Sequence, residues 1–326
     1  MTTRTASHAG SWYKSGRSQL ANELQQYLDA VPATIEDQPV PVPGARIIIA
    51  PHAGYDYCAD NAAWAYKSLD LSNAKRIFLL GPSHTMHLSG CALTSHSKYA
   101  TPFGDLIVDK ATVDELQATG KFGTMPLDVD ENEHSMEMHC PYIYTMISQH
   151  FKSPADHPTL IPVMVGNTRA ETEVEFGKLF SSYLADPTSV FVVSSDFCHW
   201  GSRFQYTYYI PNGSTTEGGG ISLRRRDPVP TDPPIHESIE RLDRMSMKSI
   251  EAGTHKSFLK NMRETENTVC GRHPIGVVLA AIDQLREAGK VPADRGYFKF
   301  TQYSRSSDPV DASDSSVSYA SAYAII

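Results

Sequence analysis

No stretch of about 20 consecutive apolar residues, the length a membrane-spanning helix needs, occurs anywhere in the 326-residue chain. Met1 to Gly10 also lacks the basic segment and apolar core of a secretory leader. A soluble, intracellular protein is therefore expected, in the cytoplasm, with the nucleus as a further location. Basic excess is missing too: 29 Lys and Arg against 37 Asp and Glu leave a net charge of −8, which gives no electrostatic footprint for nucleic acid or an anionic membrane. Cysteine is sparse. Cys58, Cys91, Cys140, Cys198 and Cys270 form an odd set without CxxC spacing, so neither a disulfide framework nor a zinc ribbon is implied and reduced thiols are expected. The chain has no P-loop, internal repeat or coiled-coil heptad, and no nucleotide cofactor is expected.

Apolar content is not lacking. At 40% hydrophobic residues over this length, the chain can bury a large core as one big α/β domain or two small ones. The run Arg46 to Ala50, with three consecutive β-branched residues, reads as a strand covered on both faces, and Pro51 ends it because proline cannot donate to a ladder. His52 follows at the strand's carboxyl edge, where ligands bind in open α/β sheets. The device repeats at Arg76 to Leu80, followed by Gly81-Pro82-Ser83-His84. An alanine-rich helix over about Ala59 to Leu69 lies between, so the segment is a βαβ unit whose crossover sets the two strands parallel and both histidines on one rim.

A second unit follows. Leu160 to Val165 is a strand, Glu171 to Leu184 a helix, and Ser189 to Val193 a strand that runs into Ser194-Ser195-Asp196-Phe197-Cys198-His199-Trp200. Asp196 and His199 are thus presented together. Cys91 to Thr94 and Leu106 to Val108 read as short strands of an antiparallel appendage, and Asp109 as the cap of a helix to Ala118. Glu131 to Tyr142 enters a helical stretch running to about His150, and helical spacing lets His134 and Glu137 share a face. Residues 210–234, with a glycine triplet and Arg224-Arg225-Arg226, read as a flexible surface insertion. Helices are expected from about Ser18 to Leu28, from Ile235 to Ala252, from Thr254 and from Val277 to Leu285, with closing strands at Tyr297 to Tyr303 and Val317 to Ile326. Cys270 lies just before a helix start, a position that lowers a thiol's pKa.

Three chemistries use such a set. A mononuclear iron site takes two histidines and one anionic ligand; His52 and His84 with Cys270, or with Asp196, meet that count. A cysteine hydrolase takes Cys270 as nucleophile, His199 or His273 as base and Asp196 as orienter. A zinc hydrolase uses the same histidines to hold a metal-activated water.

Taken together, Pro51-His52-Ala53-Gly54-Tyr55, Gly81-Pro82-Ser83-His84, Glu133-His134-Ser135-Met136-Glu137, Ser194 to Trp200, Cys270-Gly271-Arg272-His273-Pro274 and Ser316-Val317-Ser318-Tyr319-Ala320 resemble the Memo family over nearly the whole chain. The resemblance implies one α/β domain over 1–326, with a mostly parallel or mixed central sheet flanked by helices, similar to the class III extradiol dioxygenases of the LigB type. It implies a pocket shared by His52, His84, His199 and Cys270, with His52, His84 and Cys270 as metal ligands; on that basis iron or copper is the expected metal, and Asp196, His199 and His134 are read as acid/base groups beside it. The dioxygenases use a glutamate where this chain offers Cys270, which favours redox chemistry over ring cleavage. The family is associated with redox control, signalling, cell motility and the cytoskeleton, so protein or peptide partners are expected beside a small-molecule substrate. The insertion at 210–234 suggests a fungal-type member. A binding module that keeps the pocket without catalysis is the alternative reading.

Overall fold

A computed structural model describes residues 2–214 and 219–326. The run before His52 is strand β1 (Ala45–Ala50), buried along its whole length. It is followed in the same sheet by β2 (Arg76–Pro82), β3 (Cys91–Leu93), β4 (Gly123–Thr124), β5 (Thr159–Val165), β6 (Ser189–Ser194), β7 (His199–Gly201), β8 (Phe298–Arg305) and β9 (Ser315–Ile325). Neighbours run β7-β9-β1-β6-β2-β5-β3-β4, and β8 pairs with β9. The middle four, β1, β6, β2 and β5, are parallel, whereas β9 lies antiparallel to β1 and β3 antiparallel to β5. The sheet is mixed, and its parallel centre explains the uninterrupted apolar runs. Ile47, Ile48 and Ile49 are fully buried, and each contributes roughly 1.5–3 kcal/mol of hydrophobic stabilisation.

Helices flank this sheet: α1 (Arg17–Ala30), α2 (Tyr55–Ser68), α3 (Ala170–Ala185), α4 (Ile235–Glu251), α5 (His255–Thr265) and α6 (Arg272–Glu287). α2 packs on β1, β8 and β9, while α3 and α6 pack on each other over β2 and β6. Among the described residues no helix is long and apolar enough to cross a membrane.

Three local expectations change. Cys91–Leu93 is not part of an appendage: Val163, Met164 and Val165 of β5 pair with it inside the central sheet. Gly104–Ile107 does stand apart, in a small sheet with Thr3–Arg4 and Lys98–Thr101. The stretch from Glu131 to His150 is broken into helices Leu127–Asn132, His134–Glu137 and Cys140–His150, the last restarting with Pro141 in its first turn. The helix expected from Val277 starts five residues earlier, at Arg272. Asp109 caps Lys110–Ala118 through a bond from the Thr112 amide.

The expected insertion at 210–234 falls partly outside the described residues, at 215–218. On either side, Tyr208–Tyr209 pairs with Ile221–Ser222, and Ile210 and Leu223 are buried in a satellite core with Trp200 and Leu242. Arg224, Arg225 and Arg226 are exposed.

Candidate metal centre

Parallel strands release their chains at one edge. β1 ends at Ala50 and delivers His52, β2 ends at Pro82 and delivers His84, and β6 ends at Ser194 and leads to Asp196 and His199. Cys270 arrives from the other direction, one residue before Gly271, the cap of α6. The ligand atoms of His52, His84 and Cys270 lie within 4.8 Å of one another, and so do those of Asp196, His199 and Cys270. The sulfur stands 3.2 Å from His52 Nε2. Strands ending so close together need small residues. A Cβ on Gly81 would stand 2.7 Å from Ser135 Oγ, and one on Gly271 2.3 Å from Ser195 Cβ.

Hydrogen bonds on the far side of each ring fix which nitrogen carries the proton. The Ser194 hydroxyl donates to the Ser135 carbonyl at 2.7 Å, so in its 2.6 Å contact with His52 Nδ1 the serine accepts. His52 Nδ1 is therefore protonated and Nε2 holds the lone pair beside the sulfur. His84 Nδ1 lies 2.9 Å from Glu133 Oε1 and donates to it, which leaves Nε2 as its lone-pair atom. His199 Nδ1 donates to the carbonyls of Phe197 and Thr268, at 2.9 and 3.1 Å, and likewise keeps Nε2. This is the outer support that metal-ligating histidines carry.

Burial, reinforced by the neighbouring His84, pushes the His52 pKa well down, and the same two causes bring His134 down to about 4. Both rings are neutral near pH 7. Burial acts to raise the Glu133 carboxyl, but its bond from the His84 ring and the bonds from the His84 and Ser135 amides outweigh it and hold the group at about 2. Asp196 is raised by burial, against the nearby His199. Its Oδ1 accepts the His52 amide at 2.8 Å, and its own amide donates to Cys270 Sγ at 3.1 Å.

The thiol corrects one expectation. Burial and then the Asp196 carboxylate push Cys270 well above the ordinary thiol value, so desolvation and a like charge override the helix start. The hydrolase arrangement changes in part: Asp196 and His199 keep their polar atoms within 4.8 Å of the sulfur. The imidazole on the sulfur is His52, whereas His273 is bonded to Glu173 at 2.7 Å and contacts Asn167 at 2.8 Å. His134 stacks on His84 at 4.4 Å between ring centroids, but Glu137 does not join it: that carboxylate bonds to Arg4, His8 and Tyr13 of the amino-terminal segment. Glu133 and Ser194, which orient the two histidines, lie outside the expected set of site residues. The N-cap role of Glu133, whose side chain accepts the Ser135 amide, is the local signal that points to it.

The cluster opens into a cavity of about 520 Å³ whose lining includes Trp12, Tyr57, His134, Arg203, Phe204 and Tyr319. Two imidazole nitrogens and one sulfur with satisfied outer bonds fit a soft or borderline cation, and the adjoining cavity leaves room for further ligands.

The sequence model of the family described as Memo-like protein matches residues 4–323. Protein MEMO1 of Homo sapiens is 47% identical over 317 residues, covering 97% of this chain and 95% of that protein. Protein memo-1 homolog of Caenorhabditis elegans is 39% identical over 319 residues, covering 98% of this chain and 81% of its own length. Among solved structures, the crystal structure of uncharacterized protein JW3007 from Escherichia coli K12 covers 84% of this chain and 98% of its own, with TM-score 0.42 and 12% identity.

Proposed function

Because the chain belongs to the Memo-like family, we propose that it is a non-haem metal-binding protein that holds iron or copper through His52, His84 and Cys270. The whole chain is read as one Memo-like unit. The observation that carries this reading is the donor set, within 4.8 Å, in which both imidazoles already spend Nδ1 on an outer partner. When bound, the metal would supply Lewis acidity and one-electron redox chemistry toward dioxygen or a reduced oxygen species.

The chain's own residues prepare that chemistry. Glu133 fixes the His84 ring and raises the basicity of Nε2, and Ser194 fixes His52. Burial keeps His52 and His134 unprotonated, so their lone pairs are not lost to protons near neutral pH. Asp196 and His199, grouped with the sulfur, are acid/base groups beside the reacting centre, with His134 stacked on His84 and 5.5 Å from the His52 ring. A cysteine sulfur at the position where extradiol dioxygenases carry a carboxylate argues for redox turnover of a small molecule and against ring cleavage. We place the protein in cytoplasmic and nuclear signalling linked to motility and the cytoskeleton, with protein or peptide partners.

A second reading, a peptide- or protein-binding module without turnover, is favoured by the aromatic residues at the cavity mouth: Trp12 is 37% and Tyr57 60% exposed. Metal content separates the two. Protein purified anaerobically without an affinity tag should carry near-stoichiometric iron or copper, lost in both His52→Ala and Cys270→Ala. Wild-type protein that is metal-free and binds neither ion when supplied would overturn the metal-centre reading in favour of the binding module.

A further inference from the structure

The carboxylate of Glu137 takes no part in the cluster, yet it is fully buried and accepts from four donors, all in one segment of chain. Oε2 accepts Arg4 Nη1 at 2.6 Å and His8 Nδ1 at 2.8 Å, and the Ser7 hydroxyl, 3.1 Å away, gives its proton to the Glu131 carbonyl at 2.6 Å. Oε1 accepts the His8 amide and the Tyr13 hydroxyl, each at 2.8 Å. Arg4 also donates to the carbonyls of Asp130 and Glu133, both at 2.9 Å. The segment so held, residues 5–13, carries Ser11 and Trp12 into the cavity lining. There the Trp12 indole lies 4.6 Å from the His134 ring and the Trp12 carbonyl accepts the amide of Tyr55 at the start of α2, at 2.9 Å.

We infer that Glu137 is a positioning residue that fastens the amino-terminal arm in place as one wall of the cavity, four residues after Glu133 fastens His84. One short turn therefore sets both the candidate metal centre and the wall facing it. Acceptors are what this place demands. A glutamine would turn its NH₂ either toward the Arg4 guanidinium or toward the His8 amide, and neither donor has an accepting form. The inference holds whether or not a cation binds.

The first variant leaves the Arg4–Glu137 pair intact, because breaking it risks the fold. The double variant His8→Ala/Tyr13→Phe removes two side-chain donors of the arm, and Glu137→Gln serves as the stronger second variant. Amide hydrogen exchange is followed by segment. Trp12 exposure is read as acrylamide quenching, with Trp12→Phe subtracted from each form to isolate its emission. Residues 6–13 should exchange about tenfold faster in the double variant, and Trp12 quenching should rise. Zinc uptake at His52, His84 and Cys270, and exchange in β1 and β6, should stay as in the parent. Unchanged arm exchange and quenching would overturn the inference. So would faster exchange spread evenly over the sheet, which marks a general structural role.

Discussion

Glu133 holds His84 at two points, accepting the ring Nδ1–H at 2.9 Å and the backbone amide at 2.6 Å. Two bonds from one carboxylate to one residue fix the ring plane and its tautomer together. The carboxylate is fully buried while the His84 side chain is 31% exposed, so the bonds are charge-assisted and shielded from water on the carboxylate side.

Glu133→Gln keeps the shape and removes the charge, and one of its two terminal atoms becomes a donor facing a donor of His84. Metal affinity should fall about 10- to 100-fold, the usual cost of losing an outer partner. Competition titration against a chelator of known affinity checks this, with circular dichroism showing the fold retained. Affinity within twofold of wild type would remove Glu133 from the site.

Ser194→Ala acts on the other histidine. It removes the acceptor of His52 Nδ1 and leaves the Ser135 carbonyl without its 2.7 Å donor. A buried group left unpaired costs about 1–3 kcal/mol, so the urea midpoint should drop. Metal affinity should weaken about tenfold, because the His52 ring is no longer held to one tautomer. A stability loss without any change in affinity would make Ser194 a packing residue only.

How much of this was legible in the sequence follows from range. His52, His84 and Cys270 announced themselves locally, through apolar runs broken by Pro-His and a cysteine before a helix. Glu133 and Ser194 are recognised by partners 49 and 142 residues away, and the local N-cap pattern at Glu133 does not say that its carboxylate reaches His84. Strand order has the same limit. The βαβ pattern implied that β1 and β2 are parallel, but β6 lies between them, a pairing set by packing of whole layers. The Cys270 pKa went the other way because the helix-start effect is local and the burial that defeats it is tertiary.

Acid should destabilise the metal-free protein in two windows. His134 titrates near 4 when folded against 6.5 in its ordinary state, so the unfolded chain takes up the proton first and stability falls from about pH 6.5 to 4. Glu133 and Glu137 are held near 2 against an ordinary 4.5. Their contribution, about 3 kcal/mol each, is present above pH 4.5 and is lost as pH falls toward 2. Urea midpoints measured from about pH 7 to 3 should decline throughout that range, and His134→Gln should make the upper window shallower without abolishing it, because His52 is depressed there as well. A flat profile across both windows would contradict these assignments.

Gly271→Ala tests whether the place of Cys270 depends on a close approach between elements. Gly271 has φ −84° and ψ 17°, a conformation alanine adopts readily, so backbone strain is not at issue. The obstacle is space: the new Cβ would meet Ser195 Cβ at 2.3 Å and the Ser194 carbonyl oxygen at 2.4 Å. One of those neighbours is backbone at the end of β6, held in the ladder with β1 by the Ser194–Ala50 register. The loop carrying Cys270 must therefore yield, at about 1–3 kcal/mol, and its sulfur leaves His52. Metal uptake should fall sharply at modest cost in melting temperature. Gly54→Ala is the matched control. Gly54 also lines the cavity, but its Cβ would find only ordinary contacts, 3.6 Å to Tyr57 and 3.7 Å to the Trp12 carbonyl oxygen, so uptake should be retained. Equal uptake in both variants would mean that Cys270 tolerates displacement, and hence that it is not the ligand fixing the third corner of the site.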